Sequence, residues 1–530
     1  MKRTQFLANP DGVFLHNAVL DACARFSEKI AIVDTSTPET PLCISYAQYG
    51  ELIHRVARRL IAAGIRPGDF VAIFLPNSWE FAAVYHATTL AGAAPTLLNP
   101  SYREREVRYQ LENSGAKLLI TDASLIAGMD LSGLPDLRAV FSTRTPPTGG
   151  VQLFNDLLRP AAAVSLPKPD RDPKEVIAAL PYSSGTTGLP KGVMLSHYNL
   201  VANVYQTYGP GAIPSRSDQR LLCYLPLYHI YGLNVLLNPA LMLGMTLVLM
   251  PRFNIESALR LFAEERITAA PSVPPIINAF CQAAEKGLFP TNHCLEWIKS
   301  GAAPLAPELA RRMTELTGVH VAQGYGMTEA SPVTHIGCVE KGDPCPIESI
   351  GAPLYATDSR VIAFDGGNER DAQDGEPGEL VMRGPQFMLG YWRSPQATAD
   401  VLRDGWYWSG DVTIRDNHGF YRIVDRRKEM IKYKGLPVAP AEVEAVLLEH
   451  PAVRDCGVIG RPDDEAGEIP CAFVVLRDEF TNVEKMRRDI CEFVSERLSH
   501  HKMPRDIRFV SAIPRNPSGK ILRRELRGAL

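Results

Sequence analysis

Short apolar segments alternate with longer amphipathic ones along the first part of the chain. Val71–Leu75 and Lys117–Thr121 are short and apolar, and each is followed by a turn-forming residue. Residues 80–90 and 104–113, which lie between them, have the character of helices. Strands that alternate with helices are typical of α/β layers in which the strands run largely parallel. The pattern therefore predicts an α/β fold.

Beyond residue 360 the pattern changes. Asp365, Asp374 and Asp404 are each followed directly by glycine, and they lie at short spacing. An Asp-Gly pair is a turn signal, and closely spaced turns are typical of short antiparallel strands. We therefore expect a β-rich subdomain at the end of a large N-terminal domain.

The last part of the chain has the pattern of a separate small domain. Arg426–Gly435 is a basic segment that ends at a glycine. The elements predicted after it are a helix over residues 441–450, strands over 456–459 and 472–475, and a helix over 483–498. About 100 residues follow the basic segment, which is enough for an α+β domain. The expected division is therefore residues 1–425 and residues 426–530, with the linker near Asp425 to Lys428.

Composition adds limits to this picture. The chain has 530 residues, too many for one hydrophobic core. Hydrophobic residues make up 45% and charged residues 22%, which is the balance of a soluble globular protein. The net charge of −3 provides no general attraction to nucleic acid or anionic membranes. A ligand that carries phosphate must therefore be bound by local features.

Three observations favour a cytoplasmic protein. The first ten residues lack the apolar core of a secretory signal. Leu233–Met250 is apolar, but Asn, Pro and Gly interrupt it, which indicates a buried helix and strand separated by a turn rather than a membrane span. The ten cysteines include no Cys-x-x-Cys pair, so we expect reduced thiols and no zinc site.

One loop has the composition of a phosphate site. Tyr182–Val193 reads YSSGTTGLPKGV and follows the apolar run Val176–Leu180. Glycines let backbone amides approach an anion, while hydroxyls and Lys191 add donors. The loop is not a Walker A motif, because Gly192 stands where that motif has Ser or Thr. The alternative is a flexible surface loop, which its position beside a buried strand disfavours.

This loop resembles the phosphate-binding signature of the adenylate-forming superfamily, which includes acyl- and aryl-CoA synthetases, firefly luciferase and peptide-synthetase adenylation domains. Six further segments resemble that superfamily in the same order, and they are Leu225–Gly232, Ser300–Pro304, Gln323–Ala330, Gly405–Asp411, Val424–Gly435 and Pro514–Arg523. The segments are most similar to those of 4-coumarate–CoA ligases and related fatty-acyl enzymes. The resemblance implies an AMP-forming acid–CoA ligase whose small C-terminal domain is mobile and turns about Lys428.

The resemblance also implies which residues bind nucleotide. Tyr325 would stack on adenine, Asp411 and Arg426 would bind the ribose, and Thr328 would contact phosphate. Glu329 would hold Mg²⁺, an ion that prefers one or two carboxylates together with phosphate oxygens. The implied ATP- and AMP-binding set is Ser183, Ser184, Gly185, Thr186, Thr187, Gly188, Lys191, Gly301, Ala302, Ala303, Gln323, Gly324, Tyr325, Gly326, Met327, Thr328, Asp411, Arg426 and Lys520.

Two lysines would serve the two half-reactions that the resemblance implies. Lys520 would bind the acid's carboxylate and the α-phosphate during adenylation, together with Thr328 and Glu329. Lys432 would face the site during thioester formation, with Lys434 and Gly435 on the CoA side. His229 would lie between the carboxylate and the CoA tunnel. Close relatives often have glutamine at the position of Pro437, so no role of that glutamine transfers to this chain.

The acid pocket implied by the resemblance is apolar. Its wall would consist of Tyr228, Ile230, Tyr231, Val235, Ala302, Gly324, Pro332 and Val333. These residues are aromatic, aliphatic or small, which fits an aryl acid such as 4-coumarate or a medium- or long-chain fatty acid. ATP, CoA and the acid are the expected small-molecule partners, with no nucleic acid and no integral membrane association, as a monomer or a homodimer.

Three other functions remain open on the sequence alone. The acyl group could pass to a carrier-protein thiol, although the chain carries no carrier domain of its own. A luciferase-type oxidation would consume oxygen or emit light. A nucleotide-binding protein without catalytic activity would bind ATP without acid-dependent release of pyrophosphate.

Overall fold

A computed structural model describes most of the chain. The described residues are 10–37, 39–144, 150–160, 164–168, 170–183, 189–209, 212–213, 215–337, 344–365, 368–434, 436–463, 465–477, 483–515 and 519–530. Residues 184–188 of the predicted phosphate loop and Gly435 lie outside these ranges, so the predictions for Ser184, Gly185, Thr186, Thr187, Gly188 and Gly435 lie outside the described residues.

The helices are α1 (Leu15–Arg25), α2 (Tyr46–Ala62), α3 (Trp79–Leu90), α4 (Glu104–Ser114), α5 (Asn155–Leu158), α6 (His197–Thr207), α7 (Ile230–Gly232), α8 (Asn238–Met242), α9 (Ile255–Glu264), α10 (Pro274–Glu285), α11 (Pro307–Thr317), α12 (Pro395–Val401), α13 (Pro440–Glu449), α14 (Val483–Ser495) and α15 (Arg523–Gly528). A π-helical turn, Leu233–Leu237, joins α7 to α8. Among the described residues, Thr328–Ala330 and His500–Lys502 form 3₁₀ turns.

The strands are β1 (Ile30–Asp34), β2 (Leu42–Ser45), β3 (Phe70–Phe74), β4 (Ala94–Leu97), β5 (Leu118–Thr121), β6 (Ala139–Ser142), β7 (Gln152–Leu153), β8 (Ile177–Ser183), β9 (Lys191–Ser196), β10 (Arg220–Cys223), β11 (Thr246–Leu249), β12 (Trp297–Ser300), β13 (His320–Gly326), β14 (Val333–Ile336), β15 (Ala352–Pro353), β16 (Asp358–Asp365), β17 (Asn368–Asp371), β18 (Pro377–Arg383), β19 (Gly390–Tyr391), β20 (Leu402–Arg403), β21 (Trp406–Arg415), β22 (Tyr421–Arg426), β23 (Ile431–Tyr433), β24 (Leu436–Val438), β25 (Val453–Asp463), β26 (Gly467–Leu476) and β27 (Asp506–Phe509).

Two largely parallel sheets form the N-terminal part. The first has the order β19-β9-β8-β4-β3-β5-β6-β7, and it is parallel from β8 to β7. The second has the order β10-β11-β1-β2, and parallel bridges through Ala269 connect β10 to β12 of the sheet β12-β13-β14-β15. Every residue of β3 is buried, as expected for a strand covered on both faces. The predicted α/β architecture is confirmed.

The β-rich subdomain is also confirmed. Strands β16 to β18 and β20 to β22 form one antiparallel sheet in which β18 and β22 both pair with β21. The turns at Asp374 and Asp404 join its strands. Because β21 and β22 are neighbours, the register places Asp411 directly opposite Arg426.

The C-terminal residues form a small α+β unit. Its sheet has the order β24-β23-β26-β25, with β27 beside β26. Helices α13 and α14 pack on it, and its apolar residues form two clusters of their own, one that contains Val458 and one that contains Phe473. The predicted helices and strands of this region are all present within a few residues of their expected bounds. The domain boundary at residues 425 and 426 stays a prediction.

The long apolar segment Leu233–Met250 folds as expected. It forms the π-helical turn, α8, a turn at Gly244 and β11, and its residues are buried. Within the described ranges, none of the helices has both the length and the apolar character needed to cross a bilayer.

Candidate active site

The two ends of the predicted phosphate loop lie side by side. Strands β8 and β9 pair antiparallel, and Ser183 is the register partner of Lys191. Ser196 then caps α6, because its hydroxyl accepts from the amide of Asn199 while the Asn199 side chain accepts from the amide of Ser196. The loop therefore connects two neighbouring strands, and its described ends present one hydroxyl and one ammonium to the same region.

Glu329 is a buried carboxylate beside this loop. Its Oε1 accepts hydrogen bonds from the hydroxyls of Ser183 at 3.2 Å and Tyr391 at 2.7 Å. Its Oε2 accepts none from the residues that the structure describes. One oxygen of Glu329 is thus held in place while the other is available to a ligand.

Tyr391 was not predicted from the sequence. It lies in β19, which pairs with β9 and so brings the Tyr391 ring to within 5.1 Å of the Lys191 ammonium. A cation over an aromatic face is attracted by the negative charge of the ring face. Tyr391 therefore contacts both Lys191 and Glu329. No motif or spacing pointed to it, because it lies 62 residues from Glu329 in the chain.

Tyr325, Asp411 and Arg426 form the predicted nucleoside-binding group. The Tyr325 hydroxyl donates to Asp411 Oδ2, and Arg426 Nε lies 3.3 Å from Asp411 Oδ1. Asp411 is buried, and burial of Tyr325, together with the adjacent carboxylate, raises the pKa of Tyr325 well above its usual value. The three side chains, predicted from separate segments, are therefore brought together by β13, β21 and β22.

Gly301, Ala302 and Ala303 follow the carboxyl end of β12, and Gln323 lies within β13 as the register partner of Ser300. The Gly301 amide donates to Ser272 O at 3.1 Å, and a Cβ at Gly301 would lie 3.0 Å from the Tyr231 ring. Gln323 Oε1 accepts from the amide of Leu305 at 2.6 Å, which ties the segment after Ala303 to β13. Carboxyl ends of parallel strands are where ligands bind in open α/β sheets.

A closed turn carries Thr328 and Glu329. The Met327 amide donates to Pro332 O at 2.9 Å. A Cβ at Gly326 would lie 2.0 Å from Pro332 O, so only glycine fits there. Asn203 of α6 holds the exit of the turn, because it donates to Val333 O at 2.7 Å and accepts from Val333 N at 3.1 Å.

Lys520 of the C-terminal part lies close to the nucleoside-binding group. Burial, opposed by Asp411 and reinforced by Arg426, lowers the pKa of its ammonium to about 8. Burial lowers the pKa of His229 to about 4, and the charge of Lys520 contributes to that shift. Gly519 has a φ of +83°, and a Cβ there would lie 3.4 Å from Pro275. Lys520 therefore directly follows a glycine that lies against the start of α10.

The depressed pKa of Lys520 predicts a pH dependence. The charged form is present below about pH 8 and is lost as the pH rises through that value. If the charge is needed for adenylation, kcat/KM for ATP should fall above about pH 8, because this ratio reports groups of the free enzyme. In Lys520→Arg, kcat/KM for ATP should stay constant to higher pH, since a guanidinium stays protonated. A profile that is flat to pH 10 in both proteins would contradict the prediction.

Among the predicted acid-pocket residues, Tyr231 contacts the end of β12, and Val235 lies in the π-helical turn. The Tyr231 hydroxyl donates to Lys299 O at 2.8 Å, and Ile230, Val235, Pro332 and Val333 are buried. Tyr228 is half-buried and Ala302 is exposed. Gly324 pairs with Ile336 in the strands that flank the turn. Lys299 itself is a buried lysine that sequence reasoning missed, and its ammonium donates to Gly337 O at 3.2 Å.

The predicted hinge and CoA-side lysines lie at the surface. The side chains of Lys428, Lys432 and Lys434 are exposed. The Lys432 amide donates to Glu468 Oε2 at 2.9 Å, and Pro437 is the register partner of Lys432 in the β23–β24 hairpin. The structure therefore presents Lys520, and not Lys432, to the nucleoside-binding group.

The residue before Lys428 is tied to the β-rich sheet. Arg427 Nη1 donates to Glu379 Oε2 at 2.8 Å, and the Arg427 amide donates to Gly410 O at 2.8 Å. The other oxygen of Glu379 accepts from the Gly410 amide at 3.0 Å, next to Asp411. Lys428 is the first residue beyond this contact.

Comparison with known proteins shows which family the chain matches. The AMP-binding enzyme family matches residues 19–392, and the AMP-binding enzyme C-terminal domain matches residues 442–520. The chain is 37% identical to 4-coumarate–CoA ligase of Pinus taeda over 98% of its own length and 95% of the pine protein.

Solved structures agree with this match. The structure of the anthranilate CoA ligase AuaEII in complex with anthranoyl-AMP is similar with a TM-score of 0.87 and 26% identity, and the match covers 100% of this chain and 99% of that one. The Mycobacterium tuberculosis fatty acyl CoA synthetase is similar with a TM-score of 0.74 and 30% identity over 97% and 98% of the two chains. The family matches cover the part that holds Glu329 and the part that carries Lys520, so the chain belongs to the AMP-binding enzyme family.

Proposed function

We propose that this chain activates an apolar carboxylic acid as its acyl-adenylate and transfers the acyl group to coenzyme A. It is an AMP-forming acid–CoA ligase that uses ATP and CoA as substrates. The observation that carries the proposal is the position of Lys520, whose ammonium lies near the His229 ring and the charged groups of Asp411 and Arg426. A cation delivered from the C-terminal part to a nucleoside-binding group is what acid adenylation requires.

In the first half-reaction, a carboxylate oxygen attacks the α-phosphorus of ATP. The bond to the bridging oxygen breaks, and pyrophosphate leaves with its electron pair. Negative charge gathers on the α-phosphate, where Lys520 is proposed to neutralise it while Lys191 and Thr328 hold the other phosphates. Positioning and charge neutralisation contribute most to reactions of this kind.

Glu329 is the residue proposed to hold magnesium. Its Oε1 is fixed by two hydroxyls, and its Oε2 accepts no hydrogen bond from the described residues, which fits an ion that takes one or two carboxylates plus phosphate oxygens. The bound ion would neutralise phosphate charge and orient the leaving pyrophosphate.

His229 is proposed to orient the acid. Its Nδ1 accepts from the Tyr231 amide at 3.2 Å, and its lowered pKa keeps the ring neutral at physiological pH. A neutral ring whose Nδ1 accepts must carry its proton on Nε2. Nε2 can therefore donate to an oxygen of the acid, and this donor orients the carboxylate before attack.

In the second half-reaction, the CoA sulfur attacks the acyl carbon. The thiol loses its proton, a carbon–sulfur bond forms, and AMP leaves. We propose that residues 426–530 rotate about Lys428 between the two steps, which withdraws Lys520 and brings Lys432 to the site. Rotation of this kind is a hinge motion.

The acid class follows from the predicted pocket wall. Ile230, Val235, Pro332 and Val333 are buried and apolar, and Tyr228 and Tyr231 supply aromatic surface. We propose an aryl acid of the 4-coumarate type or a medium- or long-chain fatty acid. The cysteines of the described residues are free, and the cytoplasm is the compartment that we propose.

A panel of acids tests the proposal. The purified protein is mixed with Mg·ATP and benzoate, 4-coumarate, hexanoate or palmitate, with and without CoA, and pyrophosphate release and thioester mass are measured. We expect rapid turnover only with CoA, with AMP and one class of thioester as products. Acyl-AMP that forms but is never transferred to CoA would instead indicate a carrier-protein acceptor. Binding of ATP without acid-dependent pyrophosphate release would contradict the proposal.

A further inference from the structure

Ser331 closes the turn that carries Thr328 and Glu329. It is fully buried and has a φ of +67°, a conformation that residues other than glycine adopt rarely. Backbone of this kind persists only where the surroundings hold it. The Ser331 carbonyl accepts a hydrogen bond of 2.5 Å from Nδ2 of Asn234, which lies in the π-helical turn.

The contacts of Asn234 fix the orientation of its amide. The same Nδ2 donates to Leu200 O at 3.1 Å, so both of its partners are carbonyl oxygens. The nitrogen must face them, which leaves Oδ1 on the other side. Oδ1 accepts from Nδ2 of Asn238 at 2.7 Å, one helical turn further along.

The chain of hydrogen bonds continues to α2. Asn238 Oδ1 lies 3.0 Å from His86 Nε2, and His86 Nδ1 lies 2.7 Å from the hydroxyl of Tyr49. Because Asn238 presents an acceptor, the His86 proton must be on Nε2, and Nδ1 accepts from Tyr49. Burial lowers the pKa of His86 to about 4, so the ring is neutral, as this arrangement requires.

Every donor in this chain therefore points toward Ser331. Tyr49, His86, Asn238 and Asn234 are all fully buried. Buried polar groups cost free energy unless each is hydrogen-bonded. In the protein interior, where the dielectric constant is low, successive hydrogen bonds also polarise one another. The last and shortest bond ends on the turn of Glu329. π-Helical turns occur frequently at functional sites, and this one also contains Val235 of the predicted acid pocket.

We propose that Asn234 is a positioning residue for adenylation: the chain from Tyr49 through His86 and Asn238 holds the Ser331 carbonyl and so fixes the turn that presents Thr328 and Glu329 to the nucleotide. The inference rests on the proposed function. Asn234 acts through the turn and does not touch the substrate. Acyl-AMP lacks the phosphates that leave as pyrophosphate, so the second half-reaction depends less on this turn.

Replacement of Asn234 separates positioning from stability. In Asn234→Ala, kcat of acid-dependent pyrophosphate release should fall by about 10- to 100-fold, because a small displacement of a catalytic group has effects of this size. Thioester formation from supplied acyl-AMP and CoA should stay within about 3-fold of the unmodified enzyme. A purely structural role would lower Tm and reduce both half-reactions equally, in proportion to the folded fraction.

A matched pair of variants at His86 tests whether adenylation depends on the hydrogen bonds that lead from Tyr49 to Ser331. His86→Gln retains a donor near the position of Nε2, whereas His86→Leu removes it. We expect adenylation to fall by about 10-fold in His86→Leu and to stay within about 3-fold in His86→Gln. This pair also decides the matter if Asn234→Ala does not fold.

Two outcomes would overturn the inference. One is equal adenylation by the two His86 variants, and the other is equal loss of both half-reactions in Asn234→Ala. If the unmodified enzyme releases no pyrophosphate with any acid, the proposed function fails, and the inference fails with it. Release by the unmodified enzyme, together with either of the first two outcomes, overturns the inference alone.

Discussion

Replacing Lys520 with alanine is expected to abolish acyl-adenylate formation while leaving the second half-reaction largely intact. The ammonium lies near Asp411 and Arg426, where the α-phosphate of a bound nucleotide would develop charge. Loss of one such donor lowers kcat by about 10²- to 10³-fold in comparable sites. Acid-dependent pyrophosphate release measures the first half-reaction. Conversion of supplied acyl-AMP to thioester, followed by mass, measures the second.

A surface lysine of the same region provides the control. Lys502 is half-buried and forms an ion pair of 2.7 Å with Glu442, and pairs that water still reaches contribute little to stability. Lys502→Ala should therefore behave like the unmodified enzyme in both half-reactions. Equal loss of the two half-reactions in Lys520→Ala would show that Lys520 supports the fold or serves both steps, and either result contradicts the proposed role.

The elements of the fold could be predicted where the information is local. β3 and β5 follow from short apolar runs that end at turn-forming residues, and α3 and α4 follow from the helical segments between them. The strand order could not be predicted, because pairing joins segments that are far apart. β4, for example, pairs with β8, more than 80 residues later in the chain.

The same limit applies to the site. Ser183, Glu329, Asp411 and Arg426 stand in recognisable motifs, and the structure brings them together. Their supports do not stand in motifs. Tyr391 reaches Glu329 only because β19 pairs with β9, and the hydrogen bonds from Tyr49 to Ser331 join five separate elements.

The sequence also could not predict which lysine faces the site. Lys520 and Lys432 lie in equally clear motifs, and nothing in either motif gives the orientation of residues 426–530. That orientation depends on contacts between residues beyond Lys428 and the N-terminal part, such as the approach of Gly519 to Pro275. These contacts join residues from different segments and have no local signature.

Replacing Lys432 with alanine is expected to give the opposite result to Lys520→Ala. The Lys432 side chain is exposed in this arrangement, so its loss should leave pyrophosphate release within about 3-fold of the unmodified enzyme. If residues 426–530 rotate about Lys428, Lys432 reaches the site only for thioester formation, and that step should slow by about 100-fold. Thioester formation from supplied acyl-AMP and CoA measures this directly.

The two variants together test the rotation. Lys520 is near the nucleoside-binding group, whereas Lys432 is exposed. In a single fixed arrangement of the two parts, only Lys520 could therefore act in the site. Opposite losses in the two variants, with Lys502→Ala unaffected, therefore require a second arrangement in which Lys432 replaces Lys520. If Lys432→Ala forms thioester at the full rate, no second arrangement is required. Loss of the same half-reaction in both variants would exclude separate roles for the two lysines.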